Sequence, residues 1–456
     1  MSFLLALILL ISSSITAAPA PRMVQISGQM FINATSKQQI VMSGANVVVK
    51  GPPYLPAVTG DTFCNDIVNS ECTAHGNCTS CETFNQADID NMKAMGWNAI
   101  RLGVVWAGAQ PEDTNSLDSD FIKRLHAILT LCDANNLPVM LDNHGDMVGT
   151  AGCGNGVPMW IQKKAVGDLI GKPLTSAFPY SYFEPVEKVD GYDHCGANET
   201  MWAKHAGSIL NNPNKPDNPT TPLYLGDPNY NLLNECCQAM NSPNPGGLGF
   251  STISQQTMDY ILKPGEGRDA FVRFWQLLAL EVVDHPSAFA AELMNEPMSI
   301  ERKHMYDTWR ACAEAIHLVI PDMSVALSDI GEGAVVPSWL SDLYTGIGID
   351  GDTIKWIKNS SYLYYAWHYY GNPKLPSEAI RNARAIEQAW NVPSFLTEFM
   401  SCDAWNNATA DNISFSYWHY SSYCTTGAAF GNRRVPEDTF GACILGWAGG
   451  NSQKTC

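Results

Sequence analysis

Two short segments carry the residues best suited to chemistry. Met294-Asn295-Glu296-Pro297 closes one apolar run, and Leu396-Thr397-Glu398-Phe399 closes a later one. Hydrolysis of a glycosidic bond needs two carboxyl groups on either side of the anomeric carbon. One is protonated and donates to the leaving oxygen. The other is ionised and attacks to form a glycosyl-enzyme. Two glutamates in one pocket can play these separate parts because different neighbours push their pKa values apart. A glutamate alone is no evidence in a chain with 45 acidic residues. Two glutamates at strand ends, one between Asn and Pro, are far more specific.

Other polar residues sit at comparable places. Arg101 lies within the apolar run IRLGVVW, and a buried cation requires a paired anion. The anion is either a reacting carboxylate or a structural acid. His144 and His368 each end an apolar run. Such histidines commonly bond to backbone inside a core, and only a shared rim argues for function. As a metal pair they lack an obvious third ligand, so no metal and no cofactor are expected. Trp418 suits either a core or a platform stacked on the apolar face of a sugar.

These positions need a scaffold that brings strand ends together. From residue 40 onward, strand-like runs alternate with helical patterns. The strands are read at Ile40–Val49, Ala99–Val105, Val139–Asn143, Ala288–Met294, Val325–Leu327, Tyr362–His368, Ser394–Glu398 and Phe415–Trp418. Helices are read at Asp118–Asn135, Asp269–Asp284, Tyr306–Val319 and Ser377–Trp390. In the first of these, Phe121, Ile122, Leu125, Ile128 and Leu129 form the stripe of an amphipathic helix. Eight strands alternating with helices predict an α/β fold, a (β/α)8 TIM barrel, whose active site lies at the C-terminal strand ends. An open doubly wound sheet is the rival, but no Gly-rich dinucleotide fingerprint supports it. The segment from about 161 to 263 is too long for a connection after the third strand. It is rich in Asn, Pro and Gly and is read as an insertion over the barrel mouth. Residues 21–456 are otherwise taken as one domain.

Composition narrows the partners. The chain has 456 residues, 45% hydrophobic and 16% charged, with a net charge of −18. Nucleic acid and anionic surfaces are poor partners for such a chain, whereas a neutral sugar meets no such objection. Phe3–Ile11 is apolar but shorter than the ~20 residues that span a bilayer. Small residues follow it, so residues 1–20 read as a secretory signal cleaved near Ala18 or Ala20, although no Lys or Arg precedes the run. No stable membrane insertion is expected, and a secreted, extracellular monomer is. The 14 cysteines, with Cys64, Cys72, Cys78 and Cys81 grouped and Cys236 beside Cys237, read as disulfides in that compartment. Zinc is the alternative for Cys78-x-x-Cys81. Sequons at Asn33, Asn77, Asn198, Asn359, Asn407 and Asn412 agree with secretion.

From about Ile40 to about Trp418 the sequence resembles glycoside hydrolase family 5, within the retaining β-glycosidases. NAIRLGVVW at Asn98, LDNHGD at Leu141, LMNEP at Leu293, AWHYY at Ala366, FLTEF at Phe395 and SYW at Ser416 carry the resemblance. It implies that Glu296 is the acid/base and Glu398 the nucleophile. It also implies that Asn295 holds the sugar 2-hydroxyl and that Arg101 orients Glu398. His144 and His368 would line the −1 subsite, Tyr370 would stand beside the nucleophile, and Trp418 would form the sugar platform. Asn46-Val-Val-Val-Lys50, Pro53-Tyr54-Leu55-Pro56, His144-Gly145-Asp146 and Gly154-Asn-Gly156-Val-Pro158-Met-Trp160 are similar to the endoglycoceramidase-type branch. That likeness implies that Lys50 and Asp146 grip the −1 glucose. For Lys50 the alternative is a solvated loop charge. Gly145 departs from the Gln of that branch.

The expectation is therefore a secreted retaining hydrolase of β-glucosidic bonds, acting on a β-glucan or a glycosphingolipid. The alternatives are an endo-β-1,4-glucanase or mannanase working on cell-wall polysaccharide, and a non-catalytic carbohydrate-binding barrel. A cysteine-rich structural protein fits poorly with the regular strand–helix alternation.

Overall fold

A computed structural model of the chain describes residues 21–49, 54–56, 58, 84–145, 148–152, 156–169, 251–299, 301–329, 349–370, 375–399, 401–418 and 420, with the backbone of 429–430 and 433–434. Lys50, Asp146, the expected secretory signal at 1–20, the grouped cysteines and most of the expected insertion lie outside the described residues.

Eight parallel strands close into a barrel, as the alternation predicts. They are β3 (Ser43–Val47), β4 (Ala99–Gly103), β5 (Val139–Asp142), β6 (Ala288–Glu292), β7 (Ser324–Ser328), β8 (Leu363–Tyr369), β9 (Ser394–Phe399) and β10 (Ser414–Tyr417), with β10 pairing back onto β3. Nearly every strand residue is buried, because helices cover the outer face and side chains fill the inner one. The expected helices form at Ser119–Asn135, Glu266–Val282, Arg302–His317 and Pro376–Trp390. The Asp118 carboxylate starts the first of these by accepting the N–H groups of Asp120 and Phe121, each at 3.0 Å.

Register decides which polar residues meet. Asn46 lies opposite Arg101, Gly103 opposite Asp142, and Asp142 opposite Glu292. A bulge between Trp367 and His368 puts His368 opposite Glu398. Gly44 keeps β3 close to β4, since a Cβ there would fall 1.8 Å from the Ala99 carbonyl oxygen.

Three features depart from the sequence reading. First, an antiparallel hairpin precedes the barrel, formed by β1 (Val24–Ser27) and β2 (Met30–Asn33). It plugs the N-terminal end. Val24 and Phe31 pack with Met42, Met140, Phe289, Tyr364 and Phe395. Phe31 meets Tyr364 and Phe395 edge-on, with centroids 5.6 and 6.0 Å apart. Second, the flanks of the expected insertion are regular helix. Met159–Val166 and Thr252–Leu262 pack together, and the latter also packs on Glu266–Val282. The apolar residues Ile253, Met258, Ile261 and Leu262 make it part of the body. Third, Cys132 and Cys312 are buried free thiols, outside any disulfide scheme.

Substituting Phe31 with alanine is expected to lower the unfolding free energy by about 3–5 kcal/mol. Denaturant melts would read this. An unchanged midpoint would exclude the hairpin from the cooperative core.

Candidate active site

Arg101 stands at the centre of the mouth with none of its surface exposed. A guanidinium has five N–H donors, and all five are used. Nε donates to Glu292 at 2.8 Å, and Nη2 donates to Glu292 at 3.0 Å and to Asn295 at 2.8 Å. Nη1 donates to Asn46 at 2.7 Å and to Glu398 at 2.6 Å. Asp142 forms a further ion pair with Nη2 at 3.1 Å. Burial by itself would favour loss of the charge. Asp142, Glu292 and Glu398 outweigh it and hold the Arg101 pKa well above its usual value.

The two candidate carboxyl groups occupy unlike places. Glu398 ends β9, with its side chain 5% exposed. Arg101 binds one oxygen, and the Tyr370 hydroxyl donates to the other at 2.6 Å. Burial would raise the Glu398 pKa, but His368, Arg101 and His144 overcome it, and the carboxyl falls to about 2. Glu398 is therefore an anion at any ordinary pH. Glu296 follows β6 with its side chain 24% exposed. Its backbone is left-handed, with φ at 39°. That conformation costs a non-glycine residue roughly 1–2 kcal/mol, and such strain concentrates where a side chain must be aimed.

His368 sits between them. Its Nδ1 is 2.9 Å from Glu296 and 3.6 Å from Glu398. Burial opposes protonation, yet the two carboxylates raise its pKa to about 9. Oxygens of Glu296 and Glu398 and a nitrogen of His368 all lie within 4.8 Å of one another. A metal ion there would have to displace the proton that His368 already carries between the carboxylates.

The remaining predicted residues converge on the same place. His144 Nδ1 is 2.8 Å from Asp142 and 3.8 Å from Glu398. Trp418 stacks on the His144 ring, with centroids 5.1 Å apart and planes 16° apart. Only 6% of Trp418 is exposed, so most of its ring surface is already covered. Asn295 accepts from Arg101 and donates to the Gly145 carbonyl at 3.3 Å. The structure thus gathers Arg101, His144, Asn295, Glu296, His368, Tyr370, Glu398 and Trp418 around one mouth. Lys50 and Asp146 fall outside the described residues.

Sequence reasoning missed Asn46, Asp142 and Glu292. Asn46 accepts from Arg101 and donates to carbonyls of Thr397, Ser416 and Tyr417, tying β3 to β9 and β10. The Glu292 carboxyl is pushed up by burial and by Asp142, against the pull of Arg101. A signal existed, since an acid inside an apolar strand needs a cation as much as Arg101 needs an anion.

Comparison with known proteins agrees with this geometry. Residues 64–172 match the cellulase family, glycosyl hydrolase family 5. The chain resembles that family over this segment, and resembles its endoglycoceramidases. Endoglycoceramidase I of Rhodococcus hoagii (strain 103S) is 28% identical over 171 residues, 38% of this chain and 29% of that protein. Endoglycoceramidase of Hydra vulgaris is 22% identical over 449 residues, 92% of this chain and 71% of that protein. Thus the match spans less than a third of the first relative's length. Among solved structures, endo-glycoceramidase II from Rhodococcus sp., in a cellobiose-like imidazole complex, has the same fold. Its TM-score is 0.52 at 16% identity, covering 93% of this chain and 80% of that one. The same enzyme has been solved as a ganglioside GM3 complex, with a TM-score of 0.51 at 14% identity over 93% and 80% of the two chains.

The raised His368 pKa makes a stability prediction. A group protonated more readily when folded stabilises fully below its unfolded pKa and loses that contribution as pH rises through its folded value. From about 6.5 to about 9, the wild type is expected to lose about 3 kcal/mol. His368→Gln should lack this loss. Parallel denaturant titrations at several pH values would compare them, and equal slopes would refute the bridging charge.

Proposed function

We propose that the protein is a secreted retaining β-glycoside hydrolase that cleaves β-glucosidic bonds by double displacement. The supporting observation is the pair of carboxyl groups in one pocket, with oxygens within 4.8 Å of each other. Retaining enzymes hold their carboxyl groups about 5–5.5 Å apart, whereas inverting ones leave about 6.5–9.5 Å for a water. A carbohydrate-binding barrel has no need of an anion held ionised against full burial.

In the first step Glu398 attacks the anomeric carbon while Glu296 donates its proton to the departing oxygen. Arg101 and Tyr370 hold Glu398 on both oxygens, which fixes its aim before substrate arrives. His368 supplies positive charge beside both groups. In the second step Glu296 takes a proton from water, and the water oxygen displaces Glu398 from the sugar. Asn295 bonds the 2-hydroxyl, and Trp418 and His144 border the sugar.

The substrate is a glycosphingolipid or a β-glucan. Similarity to endoglycoceramidases supports the lipid, whose sugar headgroup the neutral, hydrogen-bonding part of this site suits. Among the described residues no helix is long and apolar enough to cross a membrane. Asn359 and Asn412 are exposed sequons, compatible with glycosylation on a secretory route. The Asn407 amide is engaged with the Asp403 carbonyl at 2.7 Å.

On an aryl β-cellobioside, Glu398→Gln is expected to lose about 10³-fold or more in kcat. Glu296→Ala should lose about 10²–10⁴-fold with a poor leaving group and regain much of it with a dinitrophenyl one. NMR of the first product anomer should show the β form. Wild-type rates in Glu398→Gln, or an α product, would end the proposal. A panel of glycosphingolipids, β-glucans and mannans then separates the aglycones.

A further inference from the structure

A second group of polar side chains lies at the opposite end of the barrel, where β6 begins. His126 projects from the helix Ser119–Asn135, Glu281 from the helix Glu266–Val282, and His285 from the turn before β6. His126 Nδ1 and His285 Nε2 face each other at 2.8 Å. The outer nitrogens each meet a carboxylate. His285 Nδ1 is 2.7 Å from Asp133, and His126 Nε2 is 3.3 Å from Glu281.

The carboxylates decide what faces what in the middle. Asp133 accepts the Ser287 N–H on its other oxygen at 2.9 Å, so it is fixed in place. A carboxylate can only accept, so His285 carries its hydrogen on Nδ1 and turns a lone pair of Nε2 towards His126. When His126 donates Nε2–H to Glu281, its own Nδ1 lone pair points back. Two lone pairs at this distance repel unless a cation lies between them. A proton is one such cation. A divalent metal is the other, and an imidazole whose outer N–H rests on a carboxylate is the arrangement that orients metal-binding histidines.

The surroundings favour a cation. Asp133 and Glu281 are joined nearby by Asp284 and Asp322, which with Asp133 act on the Arg22 guanidinium. Arg22 is the opposing charge, and it is directed onto the Val282 and His285 carbonyls at 3.2 and 2.7 Å. Those bonds also pin the turn that carries His285. The His126 side chain is 41% exposed and can move outward to widen the gap to the roughly 3–4 Å that two metal–nitrogen bonds of about 2.0–2.1 Å span. Its exposure leaves the other coordination positions to water.

We propose that His126 Nδ1 and His285 Nε2 bind a divalent first-row transition metal of the kind imidazole prefers, Cu²⁺, Ni²⁺ or Zn²⁺, with Asp133 and Glu281 orienting the rings. The site lies at the end away from Glu296 and Glu398, so it is independent of the glycosidase reading.

Calorimetric titration of the whole protein with Zn²⁺, and electron paramagnetic resonance with Cu²⁺, test this. One equivalent should bind with two-nitrogen coupling to copper. His126→Ala should weaken that equivalent at least tenfold while leaving glycoside hydrolysis unchanged. Glu398→Gln should keep it, which separates this site from the cluster at the mouth. His126 is exposed, so its alanine variant will fold even where His285→Ala does not. Equal binding by wild type and His126→Ala, or no binding at all, would leave a proton as the sole occupant and overturn the proposal.

Discussion

A single guanidinium, removed from water and surrounded by acids, is the constraint from which the mouth of this barrel follows. Desolvating Arg101 costs several kcal/mol, and only well-placed anions repay it. The five donors of Arg101 reach four residues on three segments: Asn46, Glu292 with Asn295, and Glu398. Each acceptor must therefore arrive at a fixed depth. That requirement fixes the relative register of β3, β4, β6 and β9, and a one-residue slip in any of them would take a partner from the buried guanidinium. Breaking such a network by removing one partner costs about 3–5 kcal/mol. Stability and preorganisation of Glu398 are thus consequences of the same contacts.

The two glutamates at the mouth differ because their backbones differ. Glu398 lies next to last in β9 and inherits the strand's burial, and Arg101 and Tyr370 hold its two oxygens. Glu296 lies just beyond its strand, followed by Pro297, in a left-handed conformation that carries its side chain partly into solvent. One carboxyl group is saturated with fixed partners, and the other is reachable from solvent. The fold supplies each through its position relative to a strand end. His368 couples them, since its proton answers to both carboxylates at once.

Much of this was legible in the sequence. All eight barrel strands follow from apolar runs bounded by helical periodicity, and the two glutamates from their place at run ends. The site residues Arg101, His144, His368, Tyr370 and Trp418 followed from the family resemblance and from polar types at strand termini. Glu292, Asp142 and Asn46 were not read as site residues, because their importance depends on register, and register is a relation between strands. The β1–β2 hairpin escaped because each strand is only four residues long, with alternation too brief to register. Its turn at Gly28, with φ at 58°, was the available clue. Cys132 and Cys312 entered an even count that suggested pairing. Their helical spacing told otherwise, since Cys132 follows Leu129 and Cys312 follows Trp309 by three positions, on buried faces.

Arg22 and Arg101 show how one residue type serves opposite ends of the barrel. Both are fully buried. Arg22 spends its donors largely on the carbonyls of Val282, Val283, His285 and Ala288, where the helix Glu266–Val282 ends. Carbonyls of a helix C-terminus carry partial negative charge and do not titrate. Burial therefore dominates there and lowers the Arg22 pKa despite Asp322, Asp133 and Asp284. Arg101 is surrounded by carboxylates, which raise its pKa and can themselves change charge during a reaction. The difference lies in partner chemistry, rather than in burial or in the arginine itself: mainly carbonyls surround one guanidinium and carboxylates the other.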